Sequence, residues 1–277
     1  MTEHLGKKLT RSAVIALAAG LGLAMTGAAH ADEDVWPSLQ RDVFDSRPMI
    51  ENEGIIEIDA PERAEDAAVV PITIRMPPSF KEPIKSMTLV IDKNPAPVAA
   101  TFTFGPAAGT TGGERRMSTR VRVDSYSYVH AVVETTDGKL HVAKRFVKAS
   151  GGCSAPAPKD ADAETADLGK TLVKSFAPAV DTTPLREGQI MIKHPNRSGL
   201  QIDMETRGYI PARFVKDIEV KSGDDLVFRA ETGISIASNP NFRFTYANAG
   251  DKPLTVTAID SDETKFSGQT AKVPLSQ

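Results

Sequence analysis

The sequence predicts an all-β protein made of two immunoglobulin-like β-sandwich domains joined by a flexible linker. Strand-length apolar runs recur along the chain with Gly, Pro, Asn and Asp between them. The pattern stops once, at a stretch rich in Gly, Ala and Pro after residue 149, and then resumes. A length of 277 residues suits two such domains.

The first segment belongs to targeting rather than to the fold. Lys7, Lys8 and Arg11 form a basic start, and residues 13–23 are an apolar run too short for an ordinary spanning helix. Ala29-His30-Ala31 follows with the small-x-small pattern that signal peptidase reads. These features predict a cleavable signal peptide over residues 1–31 and a periplasmic mature protein. Paired arginines are absent, and no cysteine follows the apolar run, so the general secretory route is expected and a lipid anchor is not. No later stretch is apolar enough to cross a bilayer, so no membrane contact is expected after signal cleavage.

Residues 32–149 read as the first domain. Pro37 suits a first helical turn, and Trp36, Leu39, Val43 and Phe44 share a face, which predicts a short helix over residues 36–44. Strands are expected around Ile56, Val70, Leu89, Phe102, Thr119, Ala131 and Val142, with Asp137-Gly138 as the tight turn between the last two. Residues 150–184 read as a mobile arm and linker, with one short helix over residues 165–176 on which Leu168, Leu172 and Phe176 share a face. The second domain, residues 185–277, shows strands around Met191, Ile218, Phe228, Phe244 and Val256.

Composition narrows the function. The 33 basic and 36 acidic residues nearly cancel, and Trp and Tyr number only one and four. A basic nucleic-acid binder is therefore excluded. The single cysteine, Cys153, cannot form a disulfide within its own chain. Free cysteines are usually buried and inert, but this one follows Gly151-Gly152 and precedes Ser154-Ala155-Pro156-Ala157-Pro158. Such a segment predicts an exposed thiol on a reaching arm, with Gly151 and Gly152 supplying the reach. Lys148 and Lys159 are the nearest basic residues along the chain, so no local means of lowering its pKa is evident.

His130, His141 and His194 are the histidines outside the signal. A two-residue turn at Asp137-Gly138 would set Glu134 opposite His141 with His130 on the same face. A solvated cross-strand pair explains this better than a metal cluster. His194 falls at a strand end and suits a structural or interface role. No G-x-S-x-G, H-E-x-x-H, phosphate loop or C-x-x-C-H occurs, so no enzyme, catalytic residue, metal or cofactor is expected.

Two sets of strings resemble a known pair of proteins. Ile58-Asp59-Ala60-Pro61, residues 66–72 and Gly151-Gly152-Cys153 resemble SoxY. Ile192-Lys193-His194-Pro195, Ser198-Gly199, residues 210–215, residues 238–244 and Ala249-Gly250-Asp251 resemble SoxZ. These are the two subunits of the periplasmic carrier of bacterial thiosulfate oxidation. The resemblance implies immunoglobulin-like sandwiches and Cys153 as the attachment point for sulfur intermediates. It also suggests the fused SoxYZ-like carriers associated with quinoprotein dehydrogenases. The expected partners are periplasmic sulfur-oxidation enzymes or such a dehydrogenase system. The alternative is a non-covalent accessory or binding module for the dehydrogenase. In SoxY the arm ends the chain with glycines on both sides of the cysteine. Here Ser154-Ala155 and a whole domain follow, so the thiol would enter a partner as a loop.

Overall fold

The computed structural model describes residues 34–51, 55–109, 113–156, 167–176, 185–247 and 252–270. The expected signal peptide lies outside them, as do residues 157–166 and 177–184 of the linker. One helix, α1 (Trp36–Phe44), precedes eight strands of the first domain: β1 (Met49–Glu51), β2 (Glu57–Asp59), β3 (Val70–Met76), β4 (Ile84–Ile91), β5 (Val98–Phe104), β6 (Arg115–Val121), β7 (Ser127–Thr135) and β8 (Leu140–Val147). Then follow β9 (Thr171–Phe176), β10 (Leu185–Ile192), β11 (Val215–Ser222), β12 (Asp225–Thr232), β13 (Asn241–Ala247), β14 (Leu254–Asp260) and β15 (Lys265–Gln269). The all-β sandwich architecture read from the sequence holds.

Two sheets face each other, and each draws strands from both domains. The nine-stranded sheet runs β1-β8-β7-β4-β5-β12-β11-β14-β15, and the six-stranded sheet runs β2-β3-β6-β13-β10-β9. The domains therefore meet edge to edge. β5 pairs with β12 from Phe104↔Phe228 to Ala100↔Thr232. β6 pairs with β13 at Met117↔Phe244 and Ser118↔Arg243. An unpaired edge leaves a row of backbone donors and acceptors, so joining two sandwiches this way satisfies both edges at once.

The core follows the pleat. β3 and β6 alternate buried and less buried residues, as strands with one face on a core must. The inward side chains form one apolar cluster that spans both domains. At its centre Phe102 of the first domain meets Phe228 and Phe242 of the second edge to face, each at 5.8 Å between ring centroids. Offset and T-shaped arrangements are the favourable ones for aromatic quadrupoles. A smaller cluster lies on the outer face of the nine-stranded sheet. There Trp36, Leu39, Val43 and Phe44 of α1 cover Val90, Val132, Leu140 and Val142. That cover explains why β4 and β7 are buried on both faces along much of their length.

The linker differs from its sequence reading. The helix expected over residues 165–176 is, within the described residues, a turn at 167–169 followed by strand β9. β9 pairs with β10 from Thr171↔Ile192 to Phe176↔Glu187. The spacing of Leu168, Leu172 and Phe176 suits a helix, but Thr171, Val173 and Ser175 do not, and a free β10 edge overrides a weak local preference. The short strands β1 and β15 also escape the sequence pattern, because β15 carries only Phe266 as a large apolar residue.

Continuous sheets and a shared core predict one cooperative unfolding transition. Urea unfolding followed by Trp36 fluorescence, which reports the first domain, should coincide with unfolding followed by far-UV circular dichroism. Phe102→Ala should lower stability by about 3–5 kcal/mol, as expected for a buried ring whose neighbours cannot collapse. Two separated transitions would mean that the domains fold independently.

Candidate functional site

Cys153 is fully buried, with 0 % of its surface exposed. The arm of the sequence reading is, up to residue 156, a turn packed against the first domain rather than a projecting segment. Its backbone is tied at every step. The Gly151 N–H donates to the Asp124 carbonyl at 2.8 Å, and the Gly152 N–H donates to the Val123 carbonyl at 3.1 Å. The Cys153 N–H donates to Asp124 Oδ1 at 3.2 Å.

The two glycines answer to this packing. Gly151 adopts a left-handed φ of +76°, and a Cβ on Gly152 would lie 2.1 Å from the Ala67 carbonyl oxygen and 2.7 Å from that of Val123. Glycine here lets three backbone segments touch, and the reach inferred from sequence is not what this conformation uses.

Side chains from both domains close over the arm. The Arg122 guanidinium, itself buried, donates to the Gly152 carbonyl at 3.2 Å and to the Asn196 carbonyl at 3.0 Å. From the second domain, Ser198 Oγ donates to the Cys153 carbonyl, and Gln201 Nε2 donates to the Ala155 carbonyl at 3.1 Å. Behind these, Asn94 Nδ2 bonds the Arg122 carbonyl at 2.7 Å and Ser235 Oγ at 2.9 Å, and its Oδ1 accepts the Asp124 N–H at 2.9 Å. The thiol therefore sits at the domain junction, gripped by residues far apart in sequence.

Burial pushes the Cys153 thiol up to about 11, and the Asp124 carboxylate pushes in the same direction against a smaller opposing pull from Arg122. A cation does stand near the thiol, from a strand end well upstream, but it does not prevail. With a pKa about four units above neutrality, only about one thiol in ten thousand is ionised at pH 7. The enclosed cysteine is protonated and poorly nucleophilic.

The segment that carries Ser198 and Gln201 is itself anchored by His194. This residue is fully buried. Its Nδ1 accepts the Asn196 N–H at 3.0 Å, which leaves Nε2 to face Asp260 Oδ2 at 3.4 Å. Burial holds the imidazole below its usual range, against the pull of Asp260 and Asn196. Burial raises the Asp260 carboxyl, but the Thr264 N–H and Arg213 outweigh that and leave it below the usual carboxylate range. Arg213 approaches Asp260 at 2.9 Å and Asp262 at 3.1 Å. The structural role expected for His194 is the one observed.

The other histidines are separated. Residues 136–139 form the loop between β7 and β8, so Glu134 pairs with Leu140 and His141 with Val133. This register puts Glu134 and His141 on opposite faces and corrects the two-residue turn that would have set them opposite each other. Arg47 and Lys85 bind the Glu134 carboxylate at 3.1 and 3.2 Å. His130 Nδ1 contacts Asp92 Oδ1 at 2.8 Å under a stacked Trp36 ring, 3.7 Å away and 7° from parallel. A cavity lined by Met76, Arg115, Met117 and Phe244 lies at the far end of the β3–β6 pair from the arm. Arg122, Asp124, Asn94 and Gln201 were invisible as site residues in the sequence. Ser198 lay within a SoxZ-like string but carried no signal of contact with the cysteine.

Comparison with known proteins agrees with this two-part construction. Residues 40–153 match the family described as sulfur oxidation protein SoxY, and the match ends on Cys153 itself. Residues 178–271 match the sulphur oxidation protein SoxZ. Two family models thus match successive parts of the chain, SoxY first and SoxZ second. Among solved structures, the sulfur carrier protein SoxY from Chlorobium limicola f thiosulfatophilum is 27% identical, with 42% of this chain and 91% of that one covered and a TM-score of 0.33. A superoxide reductase (neelaredoxin) from Ignicoccus hospitalis is 13% identical, covering 36% and 93% of the two chains, with a TM-score of 0.29. No curated protein matches the chain. The enclosure of the thiol draws on both the SoxY-matching and the SoxZ-matching parts of the chain.

Two outcomes are expected at this site. Gly152→Ala should be destabilising, by about 1–3 kcal/mol for an overpacked methyl, measured by urea unfolding. The rate of Cys153 alkylation by iodoacetamide should rise tenfold per pH unit from pH 7 to 10 and level off only near pH 11, because the raised thiol pKa delays ionisation. A plateau below pH 9 would show that the enclosure does not raise the thiol pKa.

Proposed function

We propose that this chain is a periplasmic carrier that holds a sulfur group covalently on Cys153 and presents it to sulfur-oxidation enzymes. The observation that carries the reading is the coincidence of the single cysteine, the end of the SoxY match and an enclosure built by both domains. The closed conformation is the resting state of the carrier. Loading requires that the thiol leave its enclosure, lose its proton to water or a partner base, and attack as a thiolate.

The simplest balanced step is sulfane transfer. The Cys153 thiolate attacks the outer sulfur of a partner's persulfide, a new S–S bond forms on Cys153, and the donor S–S bond breaks. The partner leaves as a thiolate, so no external oxidant is consumed. Return to the enclosure would shield the persulfide from water and stray thiols.

The buried, protonated thiol also favours a second reading, in which the cysteine is idle and the fused domains act as a binding module for a quinoprotein dehydrogenase. Intact mass spectrometry of protein taken from the periplasm of thiosulfate-grown cells separates the two. The carrier reading expects a reducible adduct in the native protein and none in Cys153→Ser, with the fold unchanged. A clean thiol in the native protein would favour the binding module. If enclosure governs reactivity, Ser198→Ala combined with Gln201→Ala should speed N-ethylmaleimide labelling by about thirtyfold at pH 7.5, since two net hydrogen bonds of roughly 1 kcal/mol each hold the arm. Unchanged labelling would place the barrier elsewhere.

A further inference from the structure

The loop that closes the enclosure from the second domain also carries the two most exposed large apolar side chains among the described residues. Met204 is 78% and Tyr209 72% exposed, and Ile202 beside them is 45% exposed. Scattered apolar residues on a surface are ordinary, but three on one short loop form a patch.

Their exposure is built rather than frayed. Ile202 pairs with Tyr209 across the loop. The Asp203 N–H donates to the Gly208 carbonyl at 2.9 Å, and the Ile210 N–H donates to the Gln201 carbonyl at 2.9 Å. The Asp203 carboxylate accepts the N–H groups of Glu205 and Thr206 at 2.8 and 3.0 Å. A tight turn thus holds Met204 and Tyr209 in water, flanked by the exposed charges of Glu205 and Arg207. An aromatic anchor and an adaptable methionine on a preformed turn, with a polar rim, are the usual makings of a protein-binding hot spot.

The position of this patch indicates its occupant. Gln201 ends the stretch that grips the Cys153 and Ala155 carbonyls, and Ile202 begins the patch. Because the chain continues beyond Ala155 into the second domain, the thiol cannot be offered as a free end. A protein that reaches the thiol from the second-domain side meets this loop, because Gln201, which bonds the arm, and Ile202 in the patch are chain neighbours.

We infer that residues 198–210 are the docking surface for the sulfur-transferring enzyme that loads Cys153, a protein with an apolar cleft for Met204 and Tyr209 beside its reactive sulfur. Docking draws Ser198 and Gln201 off the arm and releases the thiol toward that sulfur. This inference rests on the carrier reading above.

The test uses the full chain expressed in its source organism, comparing the native protein with the double variant Met204→Ser/Tyr209→Ser. For the purified variant, the melting temperature and the N-ethylmaleimide labelling rate of Cys153 should match those of the native protein. In thiosulfate-grown cells, the initial rate at which Cys153 gains its sulfur adduct should fall by about tenfold, the loss of one ordinary hot-spot contact. Equal loading of native and variant protein would overturn the inference while leaving the carrier reading intact. A native protein without adduct would overturn both. A variant with faster labelling, or with a changed sedimentation mass that reveals contact with a second copy of the chain, would also overturn it.

Discussion

The pairing of β5 with β12 and of β6 with β13 is the constraint on which the rest of the structure depends. Each pair satisfies an edge that a lone sandwich would leave open, and together they turn four half-sheets into two continuous ones. The shared core follows directly, because Phe102 can meet Phe228 and Phe242 only if the inner faces of the two domains are in register. So does the site. β6 runs to Val121, and Arg122 and Asp124 lie just beyond it. The segment around Ser235 and Ile236 leads into β13, with Val121 bridged to Ile236. The strand ends that pair at the domain junction therefore deliver the side chains that hold the arm.

This arrangement gives the covalent fusion a physical meaning. The arm leaves the first domain at Ala149, passes under Ser198 and Gln201, and belongs to a chain that rejoins the second domain's outer edge as β9. Tethering keeps the two faces of the enclosure at high effective concentration, so closure is intramolecular and fast to re-form. The bonds that Ser198 and Gln201 of the second domain make to the arm are both between neutral groups. The residues that anchor the closing loop are different in kind. His194 and Asp260 are buried and Arg213 is part-buried, and their contacts fix the loop's base.

Chemically, the enclosure trades reactivity for protection. Burial beside Asp124 favours the protonated thiol, the form that oxidises slowly. The same surroundings favour a neutral group over a charged thiolate.

Much of this was legible in the sequence. Strand-length runs and turn residues follow from local rules, and they determined the all-β class and α1. The same local rules misread what depends on distant partners. β9 forms because β10 offers an edge, against a helical spacing of Leu168, Leu172 and Phe176. The register of β7 and β8 was set by packing rather than by Asp137-Gly138, and it parted Glu134 from His141. The state of the cysteine was beyond reach for the same reason. Gly151 and Gly152 permit a free arm and a tightly packed one equally well, and only the tertiary structure brings Arg122, Asp124, Ser198 and Gln201 around the thiol. Sequence determined where the single cysteine stands; long-range packing decided that it rests closed.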